Sequence, residues 1–201
     1  MMKPMSPAVF EAIAVVFGIV SVYLSVRENI WSWPTAIVNV AMYILVFYRA
    51  RLYADMGLQV FYVAISVYGW YEWLHGGAGR TELTVSRGTR RLFLFLLGLG
   101  LLGGAALGTL LARFTNASLP YVDSATTTTS LIAQWMMARK ILENWIVWVA
   151  VDVVYIGMFL FKNLYLTALL YLVFLVLAAI GYRQWKKTLT PSARTIGDAT
   201  A

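Results

Sequence analysis

Seven long apolar stretches, separated by short polar breaks, fill almost the whole of this 201-residue chain. They run roughly Ala8–Val26, Ile30–Tyr48, Asp55–Trp73, Leu92–Ala112, Pro120–Ala138, Asn144–Phe161 and Asn163–Tyr182. One helical crossing of a bilayer needs about 20 residues, so seven crossings use roughly 140 and leave no room for a soluble domain. The stretches are continuous rather than alternating, which predicts helices and not a barrel. Composition agrees: 61% of the residues are hydrophobic and 12% are charged. A soluble fold of this size could not hide that surface and still present a charged coat. The predicted class is an all-α integral membrane protein with seven transmembrane helices. The first stretch is too long, and its flank too weakly basic, for a cleaved signal peptide.

Of the sixteen Lys and Arg, five fall at the N-terminus and on its side of the membrane: Lys3, Arg49, Arg51, Arg113 and Lys162. The other eleven, Arg27, Arg80, Arg87, Arg90, Arg91, Arg139, Lys140, Arg183, Lys186, Lys187 and Arg194, fall on the opposite side. The positive-inside rule then puts the N-terminus outside and the C-terminus in the cytoplasm. The net charge of +7 is therefore a topology signal at the lipid headgroups and not a nucleic-acid footprint. The tail after Trp185 turns polar and small, as expected of a disordered end.

The chain also repeats itself. Arg27-Glu28-Asn29 and Trp33 match Glu143-Asn144 and Trp148 at a shift of 115. Phe47, Leu52-Tyr53, Gly69 and Trp73 match Phe159, Leu164-Tyr165, Gly181 and Trp185 at a shift of 112. A three-residue deletion would reconcile the two. Residues 8–73 and 120–185 then form two three-helix bundles, 91–113 a linker helix and 186–201 a cytoplasmic tail. The odd linker span makes both halves enter the membrane in the same direction, a parallel 3+1+3 repeat. Folds of this kind hold substrate near mid-membrane and expose it alternately by rocking one half on the other.

Polar residues inside spans are costly and usually face the bundle interior. Here they form stripes at helical spacing: Asp123, Thr127, Ser130 and Gln134 in span five; Trp145, Trp148, Asp152 and Tyr155 in span six; Asp55, Gln59, Tyr62, Ser66, Gly69 and Trp73 in span three; Ser32, Asn39 and Tyr43 in span two. These faces are expected to line one central cavity. The predicted substrate-binding set is Asn39, Tyr43, Gln59, Tyr62, Ser130, Gln134, Trp145, Trp148 and Asp152. The lining holds carboxylates, amides, hydroxyls and aromatics, with no Lys or Arg. Phosphate recognition usually recruits Arg, Lys or helix N-termini. The cavity therefore suits a cationic or neutral ligand with an aromatic ring, held by cation–π contacts of about 0.5–2 kcal/mol each.

Other roles compete for several of these residues. Trp31, Trp33, Trp70, Trp73 and Trp185 lie near span ends and are expected as interfacial anchors. Trp145 is open between that belt and the pocket. Asp123 can cap span five, and Thr126 to Thr129 can be packing hydroxyls. Glu11 reads as structural or gate-related. His75 reads as a surface residue of a Gly-rich loop. With no Cys and one His, no metal or cofactor site is expected. An intramembrane enzyme lacks its nucleophile–base pair and its His-Glu-x-x-His motif. A retinal protein lacks a Schiff-base Lys in the last span. A proton-coupled transporter, with Asp152 or Glu11 as carrier, stays open.

Several motifs together resemble the PnuC family of vitamin transporters: Trp31-Ser32-Trp33-Pro34, Phe47-Tyr48, Leu52-Tyr53-Ala54-Asp55, Leu58-Gln59, Tyr68-Gly69-Trp70-Tyr71, Asp123-Ser124, Ala138-Arg139-Lys140, and Glu143-Asn144-Trp145 with Trp148. The resemblance spans roughly Ala8 to Trp185. It implies a three-one-three helix arrangement similar to the SWEET sugar transporters, in a bacterial inner membrane. It implies facilitated uptake of nicotinamide riboside, a cationic pyridinium on a ribose, trapped afterwards by a cytoplasmic kinase. Close relatives carry thiamine and some carry riboflavin; a homo-oligomer is compatible. Nicotinamide riboside members often read Trp-x-x-Trp-x-x-x-Asn in span six, whereas this chain has Asp152 in the last place. An ionised Asp only accepts hydrogen bonds and adds charge, which raises thiamine as the alternative substrate.

Overall fold

Each of three helix ends closes with one residue in the left-handed region, and none of the three is glycine: Glu28 (φ 53°), Lys140 (φ 47°) and Asn163 (φ 57°). Around Glu28 the Asn29 N–H donates to the Leu24 carbonyl at 2.9 Å, and the Glu28 N–H to that of Ser25 at 3.0 Å. Around Lys140 the same two bonds run from Ile141 to Met136 (2.9 Å) and from Lys140 to Met137 (3.0 Å). Around Asn163 they run from Leu164 to Phe159 and from Asn163 to Leu160. These are Schellman closures, which satisfy carbonyls that a helix end would otherwise leave bare in a medium without water.

The computed structural model describes residues 7–49, 53–115, 119–161 and 163–189. Among them are seven α-helices: α1 (Pro7–Val26), α2 (Ser32–Arg49), α3 (Tyr53–His75), α4 (Arg90–Phe114), α5 (Pro120–Ala138), α6 (Asn144–Phe161) and α7 (Tyr165–Thr188). α5 and α6 keep the bounds expected from sequence, and α5 starts with Pro120 at a position where no N–H is needed. α7 runs on into the predicted tail. α4, α6 and α7 are long and apolar enough to cross a membrane on length and composition alone, and α1 carries a shorter apolar stretch, Ala12–Val26. The side chains of Glu11 and Asp55, together with Lys3, Arg51, Leu52, Lys162 and Arg194, lie outside the described residues.

The chain divides into two units, Met1–Leu83 and Thr84–Ala201. In the first, α2 packs on both α1 and α3. Trp33 of α2 meets Trp73 of α3 edge-on, with ring centroids 5.4 Å apart. The Trp33 ring lies directly over Gly69, where any Cβ would collide with it. In the second unit α5 packs on α4 and α6, and α6 on α7. There Trp145 meets Trp185 edge-on at 5.3 Å, over Gly181. Gly104 and Gly108 flatten the α4 face on which α5 seats Thr128 and Tyr121.

Two expectations need correction. Trp33, Trp73 and Trp185 are buried core residues, not interfacial anchors. Each meets a ring partner, Trp33 with Trp73 and Trp185 with Trp145, and Trp33 also lies on the bare backbone of Gly69. Trp31 is 65% exposed and Trp70 is exposed, as an interfacial belt requires. The offset of 115 read for the first matched segment is also not the one the contacts follow. The Glu28 and Lys140 turns, the Trp33–Trp73 and Trp145–Trp185 pairs, and the Tyr43–Phe47 and Tyr155–Phe159 stacks all correspond at a shift of 112. At that offset Trp33 stands with Trp145, where the sequence reading sets it against Trp148. The Glu-Asn dipeptides that suggested 115 sit at different places in their turns.

One contact has no sequence signature. The segment before α4 lies along the α5–α6 turn, with Ser86 N–H donating to the Lys140 carbonyl (3.0 Å) and Leu142 N–H to the Ser86 carbonyl (2.9 Å). The Glu143 carboxylate accepts the Gly88 N–H at 3.0 Å, and Val85 is buried. His75 closes α3 and stacks on Tyr71 at 4.8 Å instead of standing in the following loop.

A Cβ at Gly181 would stand 2.6 Å from the Trp145 ring, whereas one at Gly157, on the exposed side of α6, meets nothing. Gly181→Ala is expected to cost about 1–3 kcal/mol through overpacking. Gly157→Ala is expected to be neutral or to stabilise by up to ~1 kcal/mol. Thermal unfolding of both variants in detergent checks the opposite signs.

Candidate functional site

In the second unit the sequence puts two polar stripes on helices that touch. α5 and α6 are antiparallel neighbours about the turn at Ile141. Residues equally far from that turn lie at equal depth. Gln134 and Trp148 are each seven residues away, and Ser130 and Asp152 each eleven. Eight helical residues at 1.5 Å place the second pair about 12 Å from the turn-side ends of α5 and α6, well inside both helices.

These side chains keep their polar groups uncommitted. Asp152 is 3% exposed and Ser130 is 4% exposed. Among the described residues, Asp152, Ser130, Gln134, Thr127 and Trp148 make no hydrogen bond or ion pair, and the Ser130 hydroxyl oxygen is fully enclosed without a partner. In the lipid environment a partnerless carboxylate is expensive. No Lys or Arg lies inside α5 or α6. The neighbouring hydroxyls differ: Thr126 and Thr128 donate back to carbonyls one turn earlier, which marks them as helix-packing groups. Asp123 stands in the first turn of α5, with Leu119 at the cap position.

Trp145 does not join this group. It is 1% exposed and lies in the α6–α7 core over Gly181, neither in the belt nor in a pocket. Tyr155, on the same stripe, is also turned to α7. It packs on Tyr171 at 4.7 Å, within a cluster completed by Phe159 and Phe174. Tyr171 and Phe174 were absent from the expected set; only their spacing of three in an apolar helix could have shown them. The span-six stripe thus serves two purposes, α7 packing at Trp145 and Tyr155 and free polar atoms at Asp152.

In the first unit Asn39 is committed. Its side-chain amide donates to the Ala14 carbonyl of α1 at 2.6 Å, beside Gly18. Tyr43 stacks on Phe47 at 5.9 Å. Gln59 and Tyr62 are half-buried on α3. Farther along that face Ser66 is buried, and Gly69 and Trp73 meet Trp33 of α2, so this end of the stripe is packing.

A groove of about 400 Å³ lies between α5 and α6, lined by Tyr121, Val122, Ala125, Thr126, Thr129, Ala150, Val151 and Val154. It contains none of the nine expected binding residues. Among the described residues no cluster of His, Asp and Glu could hold a metal.

Known proteins share this chain's pattern along nearly its whole length. The family model described as nicotinamide mononucleotide transporter matches residues 8–187. The nicotinamide riboside transporter PnuC of Escherichia coli (strain K12) is 28% identical, over 87% of this chain and 84% of that one. The riboflavin/roseoflavin transporter RibM of Streptomyces davaonensis is 24% identical, over 85% and 81%. A solved structure, the crystal structure of the vitamin B3 transporter PnuC, superposes with a TM-score of 0.72 at 25% identity, covering 91% of this chain and 83% of that one. These relatives are transporters, and with its apolar helices this chain is a multi-pass membrane protein. The chain belongs to the nicotinamide mononucleotide transporter family.

Proposed function

We propose that this protein takes up nicotinamide riboside by facilitated transport, with the pyridinium cation held at Asp152. The supporting observation is a buried carboxylate that has no partner among the described residues, level with the enclosed Ser130 hydroxyl and one turn from Trp148. A cation supplies the charge that Asp152 lacks, and the Trp148 ring gives a platform for an aromatic cation. Gln134 and Ser130 offer hydrogen bonds to ribose hydroxyls or the carboxamide. Asn39, Tyr43, Gln59 and Tyr62 are the first-unit candidates; Asn39 spends one of its two amide N–H donors on Ala14 and keeps the other and its oxygen.

The helix triplets α1–α3 and α5–α7 act as a parallel repeat with α4 as the linker, and transport proceeds by alternating access of one half against the other. The eleven-to-five split of Lys and Arg favours an outside N-terminus and a cytoplasmic C-terminus. Thiamine is the second reading, favoured by one observation: Asp152 stands where the resemblance leads one to expect Asn. Riboflavin, the cargo of the relative RibM, is uncharged and would leave the carboxylate unpaired.

Calorimetric titration of the purified protein with nicotinamide riboside and thiamine, side by side, tests the assignment. Binding of nicotinamide riboside alone is expected; binding of thiamine alone would make Asp152 the specificity switch. Asp152→Ala is expected to weaken binding by about 1.5–3 kcal/mol or more while the protein still inserts. Undiminished affinity would remove Asp152 from the site. Trp148→Ala is expected to lose about 1–3 kcal/mol of affinity, and an unchanged titration would reassign that ring to packing. Nicotinamide mononucleotide is expected not to compete, because α5 and α6 carry no basic group to meet its phosphate. Competition at equal concentration would contradict this. Uptake into proteoliposomes driven by a pH gradient would replace the facilitator by a proton-coupled carrier.

A further inference from the structure

Cations gather at one end of the second unit. α4 begins with Arg90 and Arg91, the preceding segment adds Arg87, and α7 ends through Arg183, Lys186 and Lys187; all six are exposed. The Ser86 pairing with Lys140 and Leu142 fixes the start of α4 beside the α5–α6 turn. The Trp145–Trp185 contact brings the end of α7 to the same level. Among the described residues of this unit, the acid at that end is Glu143, and its carboxylate already accepts the Gly88 N–H.

The first turn of α4 holds no acidic residue. A helix start favours negative charge, so Arg90 and Arg91 stand where an anion would relieve both the dipole and their mutual repulsion. The helix then continues outward-facing. Leu94, Leu97 and Leu101 follow Arg90 on one face and are each 60% exposed or more. From Arg90 to Leu101 is about 16 Å, close to the depth of one leaflet of a ~30 Å core. Arginines above an apolar strip one leaflet deep match the charge and length of a single phospholipid.

We propose that this face of α4 binds an anionic phospholipid. Its phosphodiester lies among Arg87, Arg90 and Arg91, and an acyl chain lies along Leu94, Leu97 and Leu101. The site is separate from Asp152 and does not depend on which vitamin is carried. Basic clusters flanking a membrane helix attract anionic headgroups in this way.

Native mass spectrometry of the detergent-purified full chain, offered equal phosphatidylglycerol and phosphatidylcholine, tests it. The expected result is about tenfold preferential retention of phosphatidylglycerol. R87Q/R90Q/R91Q is expected to abolish the preference, and R113Q, at the opposite end of α4, to leave it unchanged. Equal retention of the two lipids, or a preference that survives the triple substitution, overturns the proposal. Displacement of phosphatidylglycerol by millimolar glycerol phosphate would mean a free-phosphate site and overturns it too. If the triple variant does not purify, R90Q decides the same way: the preference falls at least about twofold, or the proposal is wrong.

Discussion

The edge-on contact of Trp145 with Trp185, made over the bare backbone of Gly181, fixes how α6 is rotated against α7. Everything else on α6 follows from that rotation. With Trp145 turned into the α6–α7 core, Tyr155 reaches Tyr171 and the stripe between them carries Asp152 into the interior. The same device operates in the first unit, where Trp33, Trp73 and Gly69 lock α2 to α3. A membrane interior offers no hydrophobic drive to bring helices together, so close packing at small residues has to supply it. The Schellman closures at Glu28, Lys140 and Asn163 complement this by leaving few bare carbonyls at the turns.

Much of the architecture is legible in the sequence because the bilayer enforces it. Span length follows from hydrocarbon thickness, and Pro120 and the Ala138-Arg139-Lys140 break mark α5 as sharply as any local signal can. Burial of individual rings is another matter. Trp31 and Trp33 stand two residues apart near the same span end, yet one is exposed and the other is core. What separates them is a glycine 36 positions later, Gly69, which no local pattern reveals. The register of the repeat was obscured for a related reason. Glu-Asn recurs in both turns, but backbone geometry, with Glu28 and Lys140 as the left-handed residues, decides the correspondence. The docking of Ser86 on the α5–α6 turn is a main-chain pairing, and main-chain pairings outside regular elements leave no side-chain pattern.

The candidate site was partly legible. Among the described residues Ser130, Gln134, Trp148 and Asp152 stay uncommitted, as an intramembrane polar stripe suggests. Trp145 shares the Trp148 stripe in sequence, but its ring is packed on Trp185 and Gly181, a contact the spacing alone does not reveal. Asn39 also proves to be part of the helix packing, through its bond to Ala14. The polarity pattern has a simple logic: basic residues stay at helix ends and the carboxylate stays within. On the proposed reading, an interior of that sign favours a cation over a phosphate, whereas the α4 arginines at one end suit an anion.

The most direct measurement is a structure of the protein with nicotinamide riboside bound. The account predicts the pyridinium ring within about 6 Å of the Trp148 ring, with its charge next to the Asp152 carboxylate. A ligand bound elsewhere, with Asp152 still lacking a partner, would contradict it.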